Sequence, residues 1–182
     1  MRKAFLLLAG TCIAGIYSFA QEKQDSLRLI NLQEVQVVST RAGVNIPVAY
    51  TNIGKEEIKK QNFGQDIPFL LTLSPSVVAT SDAGAGIGYT NFRIRGTDAT
   101  RINVTTNGIP LNDSESHGVF WVNMPDIASS LEDLQVQRGV GTSTNGAGAF
   151  GASINMKTEN LSNKAYGELS GTYGAFNSTK AQ

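Results

Sequence analysis

Short apolar runs, separated by glycine-rich and polar turns, dominate the chain from Pro47 onward. Runs in which apolar and polar residues alternate are typical of half-buried strands. Asn107-Gly108 favours a tight turn with left-handed backbone directly after one of these runs. The pattern predicts strands at Val48–Ile53, Val77–Ala79, Asn91–Arg95, Arg101–Thr106, Leu134–Arg138 and Ile154–Met156.

Helical signals are few and short. Asp66 can cap a helix that has Pro68 in its first turn, where proline is tolerated. Asn123 can cap another. The predicted helices are Lys55–Gln61, Ile67–Leu73 and Pro125–Leu131. Short strands mixed with two or three short helices predict an α+β fold.

The N-terminal 20 residues read as a secretory signal peptide. Arg2 and Lys3 precede an apolar stretch, and Ser18-Phe19-Ala20 offers small residues at the cleavage positions. The apolar stretch is shorter than a transmembrane helix needs to cross the bilayer. Cys12, the one cysteine in the sequence, leaves with this peptide, so we expect no disulfide and no thiolate metal site in the mature chain.

The mature chain has no basic surplus. Removing Arg2 and Lys3 from the 15 basic residues leaves 13 against 15 acidic ones, a net charge of −2. This balance argues against a nucleic-acid partner. Residues 21–46 read as a flexible lead, within which Val35 and Val37 alternate with polar residues and favour an edge strand at about 32–41.

The glycine run Gly146–Gly151 formally matches a dinucleotide-binding fingerprint. That motif requires a following helix, whose N-terminus faces the pyrophosphate. Ile154–Met156 alternates like a strand instead. We therefore reject the dinucleotide interpretation and expect no cofactor.

Asp113, Glu115 and His117 alternate, so an extended backbone would place their side chains on one side. Such a set could hold a divalent ion, but no second cluster completes a shell, which favours a solvated polar loop and no metal. Ser114 and Ser116 lie too close to His117 in sequence for a converging triad. The sequence therefore predicts that the protein is not an enzyme.

The tail from Gly167 to Lys180 alternates over about ten residues. Leu169, Gly171 and Tyr173 share one parity, with polar residues on the other. This pattern fits a strand of a membrane β-barrel, and it fits any half-buried strand equally well.

Four motifs follow one another in a fixed order: Ile94-Arg95-Gly96, then Asn107-Gly-Ile-Pro-Leu111, then Leu134-Gln-Val-Gln-Arg-Gly139, then Ile154-Asn-Met-Lys-Thr158 after a small-residue loop. This order resembles the plug domain of TonB-dependent outer-membrane receptors. The resemblance implies a signal peptide at 1–20, a periplasmic segment at 21–46, a small plug domain with a short-stranded mixed sheet at 47–160, and the first strand of a transmembrane β-barrel at 161–182, the rest of the barrel being absent from the chain.

The resemblance also implies a role for the alternating run near the N-terminus. It looks like the TonB box, at Glu34, Val35, Gln36, Val37 and Val38. TonB, with its inner-membrane energising complex, would pair with this peptide by strand addition. The mature protein is then expected in the outer membrane, with the plug inside its own barrel and the box in the periplasm.

Outward loops of the plug touch ligand in this family. By position these are Asp82, Gly84, Gly86, Tyr89, Asp113, Glu115, His117, Phe120 and Trp121. Phe120 and Trp121 could equally pack into the core beneath their loop. Arg95 and Arg138 would face carboxylates on the barrel wall, or else solvent.

The short distance from cleavage site to box resembles the layout of importers of scarce metal complexes. The expected ligand is a ferric siderophore, haem or cobalamin. The sequence leaves one alternative of another class open, an exported ligand- or protein-binding module that is not coupled to transport.

Overall fold

The structure, a computed structural model, describes residues 41–43, 46–141, 147–162 and 164–182. The predictions for the signal peptide and for Glu34–Val38 lie outside these residues.

The largest sheet in the described part of the chain has five strands. They are β1 (Ala49–Gly54), β5 (Ile102–Thr106), β6 (Ile109–Pro110), β7 (Leu131–Arg138) and β8 (Ala152–Thr158). Their order in the sheet is β1-β7-β8-β5-β6. Strands β5 and β8 run parallel, and the other neighbours are antiparallel, so the sheet is mixed as predicted.

A second, antiparallel sheet is built from β2 (Val77–Ser81), β3 (Thr90–Ile94) and β4 (Thr97–Asp98). Along β3 the residues alternate between buried and exposed. Phe92 and Ile94 therefore enter the core, while Asn91 and Arg93 stay at the surface. Alternation in the sequence predicted this strand to within one residue.

Two predicted helices are present. They are α1 (Lys55–Gln61) and α2 (Ile67–Leu70), the second continued by a 3₁₀ turn at Leu71–Leu73. Helix α1 buries one residue, Ile58, and has acidic residues in its first turn and basic ones in its last. That charge order complements the helix dipole.

The predicted helix at Pro125–Leu131 is wrong. Two 3₁₀ turns occupy this region, at Trp121–Asn123 and Ile127–Ser130. Between them Asp126 has a φ of 53°, a left-handed conformation that a right-handed helix cannot continue through. Asn123 closes the first turn and does not cap a helix.

The alternating tail is a hairpin and not one long strand. Strands β9 (Gly171–Tyr173) and β10 (Thr179–Ala181) pair antiparallel with each other. The chain reverses through a 3₁₀ turn at Ala175–Asn177, where Asn177 has a φ of 59°. Alternation alone cannot separate a hairpin from a continuous strand, because the residues on both arms keep the same polarity period.

The two faces of the five-stranded sheet differ in polarity. One face carries Val104, Leu134, Val136 and Ile154, which join the hydrophobic core together with residues of the second sheet. The opposite face also has low exposure but is polar. Its buried members are Thr105, Gln135, Gln137, Ser153 and Asn155. Within the described ranges, no helix has the length and apolar content needed to span a membrane.

Candidate functional site

The two loops that the sequence singled out meet at one cleft. The cleft has a volume of about 310 Å³. The first loop contributes Asp82, Gly88 and Tyr89, and the second contributes the residues from Ser116 to Val122 except His117. Strand β3 and the turn after β4 complete the lining with Thr90, Asn91, Asp98, Ala99 and Thr100.

Asp66 holds the first loop in place. The carboxylate is 4% exposed, and its Oδ2 accepts hydrogen bonds from the Gly88 N–H at 3.0 Å and the Thr90 hydroxyl at 2.8 Å. The Asp66 N–H donates to the Gly86 carbonyl at 2.8 Å. Asp66 does precede helix α2, as predicted, but its side chain makes no capping hydrogen bond. The carboxylate orders the loop instead.

The glycines of this loop have separate roles. Gly84 and Gly86 have φ values of 76° and 77°, which side chains rarely adopt. Gly84 is exposed, with open space around it. Gly86 is buried, and a Cβ there would lie 3.1 Å from Cγ of Phe69. Gly86 therefore permits close packing on α2, whereas Gly84 stays at the surface.

Asn112, which sequence reasoning passed over, anchors the second loop. Its Oδ1 accepts from the Val104 N–H at 2.8 Å, and its Nδ2 donates to the Ile102 carbonyl at 2.9 Å and the His117 carbonyl at 2.9 Å. The side-chain amide thus continues the pairing of β5 beyond the end of β6. An asparagine just after a very short strand is the signal that could have found it.

Asp113 shapes the loop that follows. Its carboxylate accepts from the backbone N–H groups of Ser116 at 2.7 Å and Glu115 at 3.1 Å. The hydrogen bond from the Ser116 N–H is the main cause that lowers the pKa of Asp113 below its ordinary value. The carboxylate is engaged within its own loop.

Glu115 and His117 are exposed and do not line the cleft. His117 has a φ of 57°, and its N–H donates to the Asp113 carbonyl at 2.9 Å. Across the described residues, no group of three or more His, Cys, Asp or Glu side chains could hold a metal ion.

The aromatic residues beside the cleft divide into two kinds. Tyr89 and Phe120 are 69% and 50% exposed. Trp121 is 3% exposed, and its ring centroid lies 6.2 Å from that of Phe92 with the planes tilted by 57°. Trp121 is thus a core residue that also borders the cleft, whereas Tyr89 and Phe120 offer free apolar surface.

The fold brings the two Arg-Gly steps together. A Cβ on Gly139 would lie 3.5 Å from Nη1 of Arg95. Arg95 is exposed and has a φ of 54°. Arg138 is half-buried and donates from Nη1 to the Thr51 hydroxyl at 2.7 Å. Arg95 is therefore available to an outside partner, while Arg138 also ties β7 to β1.

The comparisons with known proteins agree with this geometry. Residues 42–153 match the family model of the TonB-dependent receptor plug domain. The chain belongs to this family. TonB-dependent receptors are outer-membrane proteins, and the relatives are named as receptors rather than as enzymes.

A curated relative is the probable TonB-dependent siderophore receptor PirA of Acinetobacter baumannii, which is 25% identical over 146 residues. The match covers 75% of this chain and 19% of PirA, so the chain spans about a fifth of the relative's length.

Two solved receptors share the fold of the plug. The ferric yersiniabactin uptake receptor FyuA of Yersinia pestis aligns with a TM-score of 0.56 at 15% identity, covering 74% of this chain and 20% of FyuA. FpvA of P. aeruginosa, solved bound to heterologous pyoverdines, aligns with a TM-score of 0.56 at 17% identity, covering 79% of this chain and 19% of FpvA. At these identities the likeness concerns the fold alone.

Proposed function

We propose that this chain is the plug portion of an outer-membrane receptor that imports a scarce metal complex with energy delivered through TonB. The observation that carries the proposal is the meeting of two loops from different sheets at one cleft with exposed aromatic surface. Within this class a ferric siderophore is the best-supported ligand, because the curated relative is named as a siderophore receptor. Haem and cobalamin are the other members of the class.

The chemistry of the cleft suits part of such a ligand. Binding sites for small molecules are mostly apolar, with a few placed polar groups that fix orientation. Tyr89 and Phe120 supply exposed apolar surface, and Asp82, Asn91 and Thr100 supply polar groups. Asp66 and Asn112 hold the two loops in position through hydrogen bonds within the plug itself.

We assign energy coupling to Glu34–Val38 because they resemble the TonB box of the family. An extended peptide binds by adding a strand to a partner sheet, through backbone hydrogen bonds. Proline at position 37 would remove one backbone donor and disfavour pairing. We expect Val37→Pro to abolish energised uptake while ligand binding stays unchanged.

The experiment measures binding and uptake of radiolabelled probes in the same cells. Ferric siderophores and haem carry iron-55, and cobalamin carries cobalt-57. Val37→Ile is the matched control, because it keeps a β-branched residue and the backbone donor. Uptake by Val37→Pro equal to that by Val37→Ile would show that residues 34–38 are only a linker. A binding module without coupling to transport would bind a probe but give the same signal with and without TonB.

A further inference from the structure

The side chain of Gln135 holds Ala42 on the polar face of the five-stranded sheet. Gln135 Oε1 accepts from the Ala42 N–H at 2.8 Å, and Gln135 Nε2 donates to the Ala42 carbonyl at 3.1 Å. Both backbone groups of Ala42 are therefore paired with one amide, as they would be with a neighbouring strand. Next to this contact, Arg41 forms an ion pair with Asp133 on the same strand.

All hydrogen-bonding positions of the Gln135 side-chain amide are occupied. Its oxygen also accepts from Gln137 Nε2 at 2.9 Å, and its nitrogen also donates to Asn52 Oδ1 at 2.7 Å. A primary amide has two lone pairs and two N–H donors. All four are used, two of them by Ala42.

Asn155 lies directly opposite Gln135 on β8. Residues in such register have Cβ atoms about 4.5–5.5 Å apart and share a face of the sheet. Asn155 is 3% exposed, and its Oδ1 accepts from the Thr105 hydroxyl at 2.8 Å. Its Nδ2 has no hydrogen-bond partner among the described residues. A buried donor is therefore left unpaired beside an acceptor whose lone pairs are both occupied.

We propose that Gln135 is a clamp with two alternative partners, Ala42 in the structure and Asn155 when residues 41–43 leave the sheet. Release of the Ala42 N–H frees one lone pair on Gln135 Oε1, and Asn155 Nδ2 donates to it. Release breaks both hydrogen bonds between Gln135 and Ala42. The new bond from Asn155 replaces one of them and pairs the buried Asn155 donor.

The exchange sets how firmly the N-terminal segment is held. Leaving a buried polar group unpaired destabilises a state by an amount similar to the loss of a hydrogen bond. The unpaired Asn155 amide thus destabilises the docked state, whereas the Ala42 and Arg41 contacts stabilise it. The free-energy difference between the state with residues 41–43 on the sheet and the released state is therefore smaller than the Ala42 and Arg41 contacts alone would make it.

The position of the clamp gives it a consequence for coupling, and this step rests on the proposed function. Ala42 is four residues from Val38, the last residue of the proposed TonB box. Release of residues 41–43 detaches from the sheet the described residues that follow the proposed box in the sequence. Gln135 is thereby a positioning residue for the encounter with TonB, to which it need not bind.

Amide hydrogen exchange on the full-length receptor in isolated outer membranes tests the clamp directly. A peptide containing Ala42 reports release, and a peptide containing β3 (Thr90–Ile94) reports unfolding of the domain. Gln135→Met removes the clamp at nearly constant volume. The double variant Thr105→Val/Asn155→Leu removes the alternative donor without leaving the Thr105 hydroxyl unpaired. Thr105→Val alone is the matched control.

The variants should act with opposite sign. We expect Gln135→Met to speed exchange at Ala42 about tenfold or more, with exchange in β3 unchanged, since both hydrogen bonds that hold Ala42 are lost. The double variant should slow exchange at Ala42 about threefold or more relative to Thr105→Val, because the docked state no longer contains an unpaired donor. Unchanged exchange in Gln135→Met, or faster exchange in the double variant, would overturn the proposal.

A second variant covers the case in which Gln135→Met unfolds the domain. Asp133→Asn removes the ion pair with half-buried Arg41 and leaves the core intact, so exchange at Ala42 should rise while exchange in β3 does not. No rise would overturn the clamp. Capture of the periplasmic domain of TonB is measured separately. If the unaltered receptor does not capture the periplasmic domain of TonB while the exchange results are as expected, the proposed function is wrong and the clamp is still supported.

Discussion

Gly151 and Thr97 approach so closely that no side chain fits between them. A Cβ on Gly151 would lie 2.4 Å from Cγ2 of Thr97 and 3.0 Å from the Arg101 carbonyl oxygen. The Gly151 N–H donates to that carbonyl at 3.1 Å, and its own carbonyl accepts from the Gly139 N–H at 2.9 Å. Gly151 therefore joins the chain after β7 to the chain before β5, at the start of β8.

We expect Gly151→Ala to lower the free energy of unfolding by about 3 kcal/mol, because the backbone carbonyl cannot move aside without breaking a hydrogen bond. Gly148→Ala is the control, since a Cβ there would meet nothing within 4 Å, and it should change stability by about 0.5 kcal/mol or less. Urea denaturation of both variants measures the difference. Thr97→Ser should recover part of the loss by removing Cγ2; equal stability of the two alanine variants would contradict the close approach.

The Asp66 carboxylate is predicted to stabilise the first loop of the cleft. Asp66→Ala leaves the Gly88 N–H and the Thr90 hydroxyl without their partner and should cost about 3 kcal/mol. Asp66→Asn keeps an acceptor and should cost about half as much. Proteolysis at the loop, combined with urea denaturation, would show the change. If the loop resisted proteolysis in both variants as well as in the unaltered protein, the glycine turns alone would maintain its shape.

Phe120 and Trp121 are neighbours in sequence with different predicted effects. Trp121→Ala should cost about 3–5 kcal/mol of stability, because it removes a core side chain that packs against Phe92. Phe120→Ala should leave the fold intact and weaken binding of the proposed metal-complex ligand by about 1–3 kcal/mol. Surface abundance and affinity for a ferric siderophore separate the two effects. Normal abundance of Trp121→Ala would place that ring outside the core.

Local signals predicted much of this fold. The sequence pattern identified six of the eight strands in the two described sheets, and Asn107-Gly108 identified its turn, because each feature depends on a few adjacent residues. The two-residue strands β4 and β6 were not predicted. The Pro125–Leu131 helix failed because the left-handed Asp126 is fixed by contacts distant in sequence, including the Asn62 side chain at 3.0 Å. No local pattern reveals that kind of constraint.

The site shows the same division. Its two loops were expected to face ligand because of their positions in the family resemblance. The structure brings residues of both loops to one cleft, which the sequence did not predict. What each residue does within them depends on partners elsewhere: Asp66 reaches 24 residues along the chain to Thr90, and Gly86 packs on Phe69. The roles of Gly86, Asp113 and Trp121 in packing and turn formation could be read only once those partners were known.

The Asp113 turn should depend on pH. Its pKa is lowered in the folded protein, chiefly by the hydrogen bond from the Ser116 N–H. The stabilisation is complete above the ordinary pKa of an aspartate, about 4, and is lost as pH falls through the lower folded-state value. Trp121, the one tryptophan in the sequence, reports the nearby loop by fluorescence. The acid transition should be shallower in Asp113→Asn, and identical curves would exclude Asp113 as its origin.

The parallel pair β5–β8 has a consequence for synthesis at the ribosome. Strand β8 sits between β7 and β5 although it comes last in the chain among the strands of this sheet. Until residues 152–158 have emerged, β1–β7 and β5–β6 are two separate antiparallel pieces, each with an unpaired edge. Contacts of long sequence separation form slowly, and exposed edges favour aggregation. Completion of the sheet therefore waits for one late strand, and until that strand has emerged both edges stay unpaired.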